Sequence, residues 1–383
     1  MQLDFHYYAT YCAAFLAGYP HEDCLQICYS DQFTDKCTRT FLSAVNAPLS
    51  AATTQTTLEL ADTDAGPVGL QDITRIWASF HFLPYDLYAD VKKGSKRYKN
   101  KYRLICGPNG ALVKDTVNLA KGKSLQAVGV AMHILADTWA HRYFAGTPSQ
   151  VINSTNQYFY EILEKDGEWT QQLINLGLTS ADDPENGNYI SSVSSGIETS
   201  VMNLGHGRAG HLPDYSFMRY KYLPAWNDYQ IIYKDNPDDY YHAFCQMIYA
   251  MSYLRGDIDT FETGIYDTEA VTPYEKEIRR ILEKRQLDSS DDWKAFGEKL
   301  SGRVVPDFTV DLFRSEYEKA SDQEKDNTGL GRFIIAALAQ KSMVTNRIYN
   351  SGNLLAGYST QYDGRNSGIK DYLKLLNFRN PEV

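Results

Sequence analysis

Residues 133–141 read HILADTWAH, and no other stretch constrains the chain as much. His133, Asp137 and His141 stand at i, i+4 and i+8. A helix turns about 100° per residue, so each step of four moves only about 40° around it and all three share one face. Imidazole and carboxylate are ordinary zinc donors. An Asp between two His either bridges two ions or orients one imidazole from behind. The alternative is a hydrogen-bonded core trio without metal. The flanking residues read as a well-packed helix over 123–144. Val128, Met132, Leu135 and Trp139 form an apolar stripe, while Gly129, Ala131, Ala136 and Ala140 leave room for close neighbours.

All eight histidines precede residue 243: His6, His21, His81, His133, His141, His206, His211 and His242. Any imidazole chemistry therefore belongs to the first two-thirds of the chain. Glycines surround His206, Arg208 and His211 in the stretch GHGRAGHLPD, which ends at Asp214. They let the backbone fold tightly around a small object. His206, His211 and Asp214 are candidate ligands there and Arg208 a candidate anion contact; a plain glycine-rich turn is the competing reading. Asp31 and Asp35 lie four apart on an expected helix over 21–38. His81 sits in the apolar run WASFHFLP, where a buried imidazole needs a partner. His6 opens an aromatic run.

Composition excludes several classes. With 43% hydrophobic and 22% charged residues the chain is not disordered, and no uninterrupted apolar stretch is long enough to span a membrane. The first residues lack a basic segment followed by an apolar one, so a cytoplasmic chain starting at or near Met1 is expected. The net charge of −10 disfavours long nucleic acids and anionic membranes. Six cysteines without framework spacing read as reduced, buried thiols.

The expected fold is mostly α. Helices are expected over 5–18, 21–38, 123–144, 154–176 and 236–255, and 177–190 reads as a polar loop. The turn signal Gly107-Pro-Asn-Gly110 predicts a β-hairpin within 88–117. Its first arm carries Lys92, Lys93, Lys96, Arg97, Lys99, Lys101 and Arg103, as a charged edge ribbon or a phosphate-contacting flap. A boundary near 256–270 divides a metal-binding domain, 1–256, from a C-terminal helical extension, 257–383, with an apolar helix over 331–348.

Taken together, these residues resemble a known group. Asp4-Phe-His-Tyr-Tyr, Asp31-Gln-Phe-Thr-Asp35, Phe80-His-Phe-Leu-Pro84, His133–His141 and Gly210-His-Leu-Pro-Asp214 look like a bacterial family labelled domain of unknown function 6765. The order of ligands is also similar to the zinc-dependent phospholipase C and single-strand nuclease superfamily. The resemblance to family 6765 spans about residues 1–255, and the two together imply a helical domain holding two or three zinc ions and hydrolysing phosphate esters. Carried over by position, it implies a first zinc on Asp35, His81, His133 and Asp137. A second would lie on His141, with His211 (or His206) and Asp214. A third would be shared by Asp137, His6 and the amine of Met1. It implies that Asp35 also orients or deprotonates the attacking water; Arg208 is a candidate for holding a phosphoryl oxygen. The sequence departs from the superfamily in the short Asp137–His141 spacing and in having Met at position 1. A phosphate-ester substrate is expected, of lipid, nucleotide or small-molecule class. The reading from another class is a helical binding or scaffold protein with a structural zinc. A di-iron bundle lacks its Glu-x-x-His pairs.

Overall fold

The computed structural model describes residues 1–47, 55–59, 67–91, 94–155, 158–165, 167–177, 181–191 and 205–357. The fold is mostly α. The expected central helix forms over Leu125–Ala140, capped where Ser124 Oγ accepts from Ala127 N, and every residue from Val128 to Ala140 is buried. A helix apolar on all sides belongs inside a bundle, and this one is surrounded by His21–Phe33, Ala111–Ala120, Asn236–Arg255 and Gly329–Asn350. Closest approach is at Gly129, where a Cβ would stand 2.4 Å from Ile27 O and 2.7 Å from Ser30 Cβ. That contact draws the 21–33 helix against the central one and sets Asp31 beside His133.

Two helical segments widen to π geometry. Asp4–Ala9 is π-helical and runs into Thr10–Leu16, ending before Gly18 at φ 87°. Trp77–His81 is π-helical and continues Pro67–Ile76. The extra residue in a π turn shifts the side chains around the axis, and such turns concentrate at functional sites. Each of these two carries one of the candidate histidines, His6 and His81.

Three expectations are corrected. No hairpin forms at 107–110; Lys96–Tyr102 and Ala111–Ala120 are both helices. The turn is real, with Asn109 at φ 66°, but Gly110 leads into a helix instead of a strand, because turn residues serve equally as helix starts. Lys96, Arg97, Lys99 and Lys101 are thus on a helix, with Arg103 just beyond it, while Lys92 and Lys93 lie outside the described residues. Nor is 154–176 a helix. Tyr160–Lys165 (β1) and Glu168–Leu173 (β2) pair antiparallel around Gly167. The Asp-Gly pair at 166–167 in the sequence is the hairpin signal that outweighs the helical reading. Asn175–Gly177 (β3) pairs parallel with Asn188–Ile190 (β4), so the expected loop is partly strand. Arg219–Tyr222 (β5) and Ile232–Asp235 (β6) extend the main sheet in the order β2-β1-β5-β6.

The core does not divide at 256. One apolar cluster joins Phe5, Cys12 and Phe33 to Ile278, Trp293, Phe296, Phe333 and Val344. Polar contacts run alongside it: Ser289 Oγ donates to Asp4 Oδ2 (2.6 Å), Tyr8 OH to Asp307 Oδ1 (3.0 Å) and Tyr29 OH to Thr309 O (2.6 Å). The last described helix, Gly329–Asn350, packs on the central helix and on the Trp77–His81 turn. A smaller cluster under the sheet includes Phe144, Phe159, Leu212, Tyr220 and Tyr222. All six cysteines are buried and free. Among the described residues no helix is long and apolar enough to cross a membrane. Gly129→Ala forces Ile27 and Ser30 away from the central helix. Chemical denaturation should show it destabilised by about 1–3 kcal/mol, and unchanged stability would contradict the close approach.

Candidate metal centre

Asp137 is buried at 1% exposure on the central helix, and its two oxygens face different sets of ligands. Oδ1 lies 2.9 Å from the Met1 amine and 3.2 Å from His6 Nε2. Oδ2 lies 3.2 Å from His81 Nδ1 and 3.3 Å from His133 Nε2. Asp35 Oδ1 completes the second set at 3.8 Å from both His81 Nδ1 and His133 Nε2. A third set gathers around Asp214 Oδ1, with His141 Nε2 and His206 Nε2 each at 3.3 Å. The Met1 amine joins the sets, 3.3 Å from Asp214 Oδ1 and 3.4 Å from His141 Nε2. Asp35, His81 and His133 form one group that could hold a metal ion; His141, His206 and Asp214 form another.

The outer contacts decide which ring nitrogens are left for a cation. Asp31 Oδ1 lies 2.8 Å from His6 Nδ1 and 3.1 Å from His133 Nδ1, and its Oδ2 accepts from Thr10 Oγ1 at 2.7 Å. His6, Asp31 and His133 are themselves close enough to hold an ion. However, Asp31 is already occupied on both oxygens, which suits a carboxylate that orients rings from behind. His133 Nδ1 then donates to it and His6 Nδ1 faces it in close charge contact, which leaves the two Nε2 atoms toward Asp137. His6 points the same way: neither of its buried ring nitrogens makes an aligned hydrogen bond. His141 Nδ1 donates to His81 O (2.7 Å), freeing its Nε2. His81 Nε2 donates to Thr56 O (2.9 Å), freeing its Nδ1. Asn153 steadies the far side, with Nδ2 donating to Ala145 O and Thr147 O, while Gly205 N donates to Asn153 O. That ties the chain after His141 to the turn carrying His206.

Of the residues expected from sequence, Met1, His6, Asp35, His81, His133, Asp137, His141, His206 and Asp214 converge here. His211 does not join them. Its side chain is 51% exposed and its Nδ1 is 3.5 Å from the other oxygen of Asp214, so His206 stands where the resemblance implied His211. The cause is backbone: Gly205 and Gly210 at φ 55° and 60° bracket the short helix His206–Ala209 and turn His206 inward. Arg208 is not in the wall of the cleft that opens onto the centre. The cleft is about 270 Å³, with Trp77, Phe82, Thr57 and Asn153 beside the ligand residues. Phe82 stacks on His141 at 4.9 Å. Thr10, Thr56 and Asn153 were not marked by the sequence as part of a site, and Asp31 was marked only as half of an acidic pair.

The centre concentrates charge. Burial works against the His133 cation, but Asp137 and Asp35 overcome it and push the pKa up to about 10. Burial likewise opposes the Met1 ammonium, and Asp137, Asp214 and Asp35 hold it at about 11. Burial would raise Asp137 and Asp214; the groups around them, chiefly His141 and the amine for Asp137 and His206 and the amine for Asp214, hold both well below the ordinary carboxylate range. His141 is depressed to about 4, mainly by burial. Without metal, protons supply the countercharge that divalent cations would otherwise provide. The residues therefore fit a metal cluster: paired carboxylates, inward lone pairs and a buried amine.

A model of the family described as "Family of unknown function (DUF6765)" matches residues 1–348. The chain belongs to the DUF6765 family. No curated protein and no solved structure matches it. The DUF6765 match runs well past residue 256, in keeping with the shared core.

Two outcomes test the DUF6765 centre. Asp31→Asn removes an anion from behind His6 and His133 and should weaken metal binding about ten- to a hundredfold, read by competition with a chromogenic chelator; unchanged affinity would remove the orienting role. The second concerns pH. In metal-free protein the raised pKa values of His133 (from 6.5 to about 10) and Met1 (from 8.0 to about 11) stabilise the fold below the unfolded values. That contribution is lost as pH climbs toward the folded values. The melting temperature in chelator should therefore fall between about pH 7 and 10, while metal affinity rises over the same window as protons leave.

Proposed function

We propose that this DUF6765 protein is a zinc-dependent hydrolase of phosphate esters working through two or three metal ions. The observation that carries the reading is the placement of Asp137. A single carboxylate reaches ligand sets on both of its oxygens, beneath a cleft from which solvent reaches Asp35 and His206, at 25% and 22% side-chain exposure. A purely structural metal site is normally closed. Bound zinc would polarise a phosphoryl oxygen and bring the pKa of a water at the centre toward neutrality.

The protein's own residues have separate tasks. Asp31 and the carbonyls of Thr56 and His81 fix the ring orientations. Asp35 is the carboxylate best placed to orient the water or take its proton, because it is the one most open to the cleft. Gln32 Nε2, 3.4 Å from Asp35 Oδ2, limits its movement. No Lys or Arg is in the described wall of the cleft, so the charge of a phosphate would be met by the metal centre itself. Trp77 and Phe82 offer an apolar flank for the organic part of the ester. The tyrosines beside His6 do not serve there: Tyr7 and Tyr8 are buried in the core, Tyr8 against Asp307. The net charge of −10 favours a small ester over a long polyanion.

Elemental analysis of protein purified without chelator should find two to three zinc ions per chain. An activated phosphodiester should be cleaved, and His133→Ala should lower the rate by more than about a hundredfold while circular dichroism is unchanged. Full activity after exhaustive chelation would overturn the reading. A zinc-loaded protein inert toward mono- and diesters alike would reduce the centre to a structural one.

A further inference from the structure

Two residues on from Asp137 a helix has turned through about 200°, so Trp139 faces away from the metal centre. It faces a second cavity of about 630 Å³, against about 270 Å³ for the cleft, and the two share no wall residue. One wall is Trp226 stacked on Tyr143, with centroids 6.0 Å apart and planes at 29°, and Tyr102 edge-on to Trp226 at 6.1 Å. The other is Trp139 stacked on His242, at 5.5 Å and 12°, with Tyr266 edge-on at 5.2 Å.

The polar groups carry both signs. Arg142 Nη1 donates to Asp239 Oδ1 at 2.7 Å, and the buried Lys234 bonds the other oxygen of Asp239. Asp86 and Asp238 stand exposed toward the mouth. Arg142 Nε is buried without a hydrogen-bond partner. The backbone is held in an unfavourable shape here: Tyr143, with a full side chain, sits at φ 79°. Trp226 Nε1 donates to Tyr143 O (2.8 Å) and Tyr143 N donates to Cys106 O (2.9 Å), which keeps it there. Strained residues of this kind persist where the surroundings fix them and cluster at ligand sites. Asn109, in the same wall, also has a positive φ, of 66°.

We propose that this cavity binds a neutral, hydroxyl-rich ring, the chemistry of a saccharide unit. Aromatic faces accept the C–H face of such a ring. Its hydroxyls donate to Asp86 and Asp238 and accept from Arg142, so both signs of charge in the wall are used. A fixed organic cation would be drawn to the rings but, carrying no O–H or N–H, would donate nothing to Asp86 and Asp238. A phosphate or carboxylate would meet Asp86 and Asp238. The volume is that of a pocket for a ligand of one to a few rings. The inference is independent of the metal chemistry.

The test uses the full, metal-loaded protein. Two of its five tryptophans, Trp139 and Trp226, line the cavity, so intrinsic fluorescence reports on it. Cellobiose, maltose, lactose and N,N′-diacetylchitobiose are titrated beside tetramethylammonium, adenosine and inorganic phosphate. At least one saccharide should give a saturable change. Trp226→Ala and Asp238→Asn should each weaken it about tenfold or more, with zinc content and melting temperature unaltered in Asp238→Asn. Should Trp226→Ala fail to fold, the exposed Asp238 carries the test. No saturable change with any saccharide up to about 10 mM would overturn the proposal. So would binding that Asp238→Asn leaves intact, or tighter binding of tetramethylammonium, adenosine or phosphate.

Discussion

An anion with no water around it must find its countercharge in the protein, and Asp137 sets that requirement for the whole molecule. Its partners come from the chain start, the Trp77–His81 turn and its own helix, and Asp214 and His206 arrive from the segment that precedes β5. Removing any one weakens the pairing of a buried charge. The tight helix contact at Gly129 belongs to the same requirement, since it brings Asp31 within reach of two rings that must point inward.

The part of the centre legible in sequence is the part that regular helix geometry dictates. A period of 3.6 residues turns the HxxxDxxxH spacing directly into a shared face. Asp31 and Asp35 were legible as a pair but not in their separate roles. The helix ends at Phe33, so Asp35 sits on a turn and enters the cleft while Asp31 stays behind the rings. His6 and His81 were visible as residues but not as geometry, because nothing in local composition announces a π turn. The choice between His206 and His211 lay with two glycine backbones at positive φ; at Gly210 a Cβ would meet Ile190 O at 2.1 Å. The displaced hairpin has a related cause: Gly-Pro-Asn-Gly marks a reversal of direction and does not distinguish a strand from a helix on its far side.

The end of the central helix serves two environments. Asp137 and His141 turn toward the buried charges, while Trp139, Arg142 and Tyr143 turn toward the aromatic cavity. Phe144 O accepts from Cys106 N and Tyr143 N donates to Cys106 O, so the chain leaving the helix is bonded to the turn at 106–110 on one side and to Asn153 on the other. A segment held at so many points transmits little motion, which suits a site whose ligands must stay within a few tenths of an ångström of their places.

The contacts of Asp4 with Ser289, Tyr8 with Asp307 and Tyr29 with Thr309 join segments 280 to 299 residues apart. Closure of loops that long is slow, since their entropy is lost before the contacts form. On a ribosome Asp4, Tyr8 and Tyr29 are made well before their partners Ser289, Asp307 and Thr309. Until then Asp4, Tyr8 and Tyr29 lack those partners, so a newly made chain passes through a stage in which this face of the opening helices is uncovered.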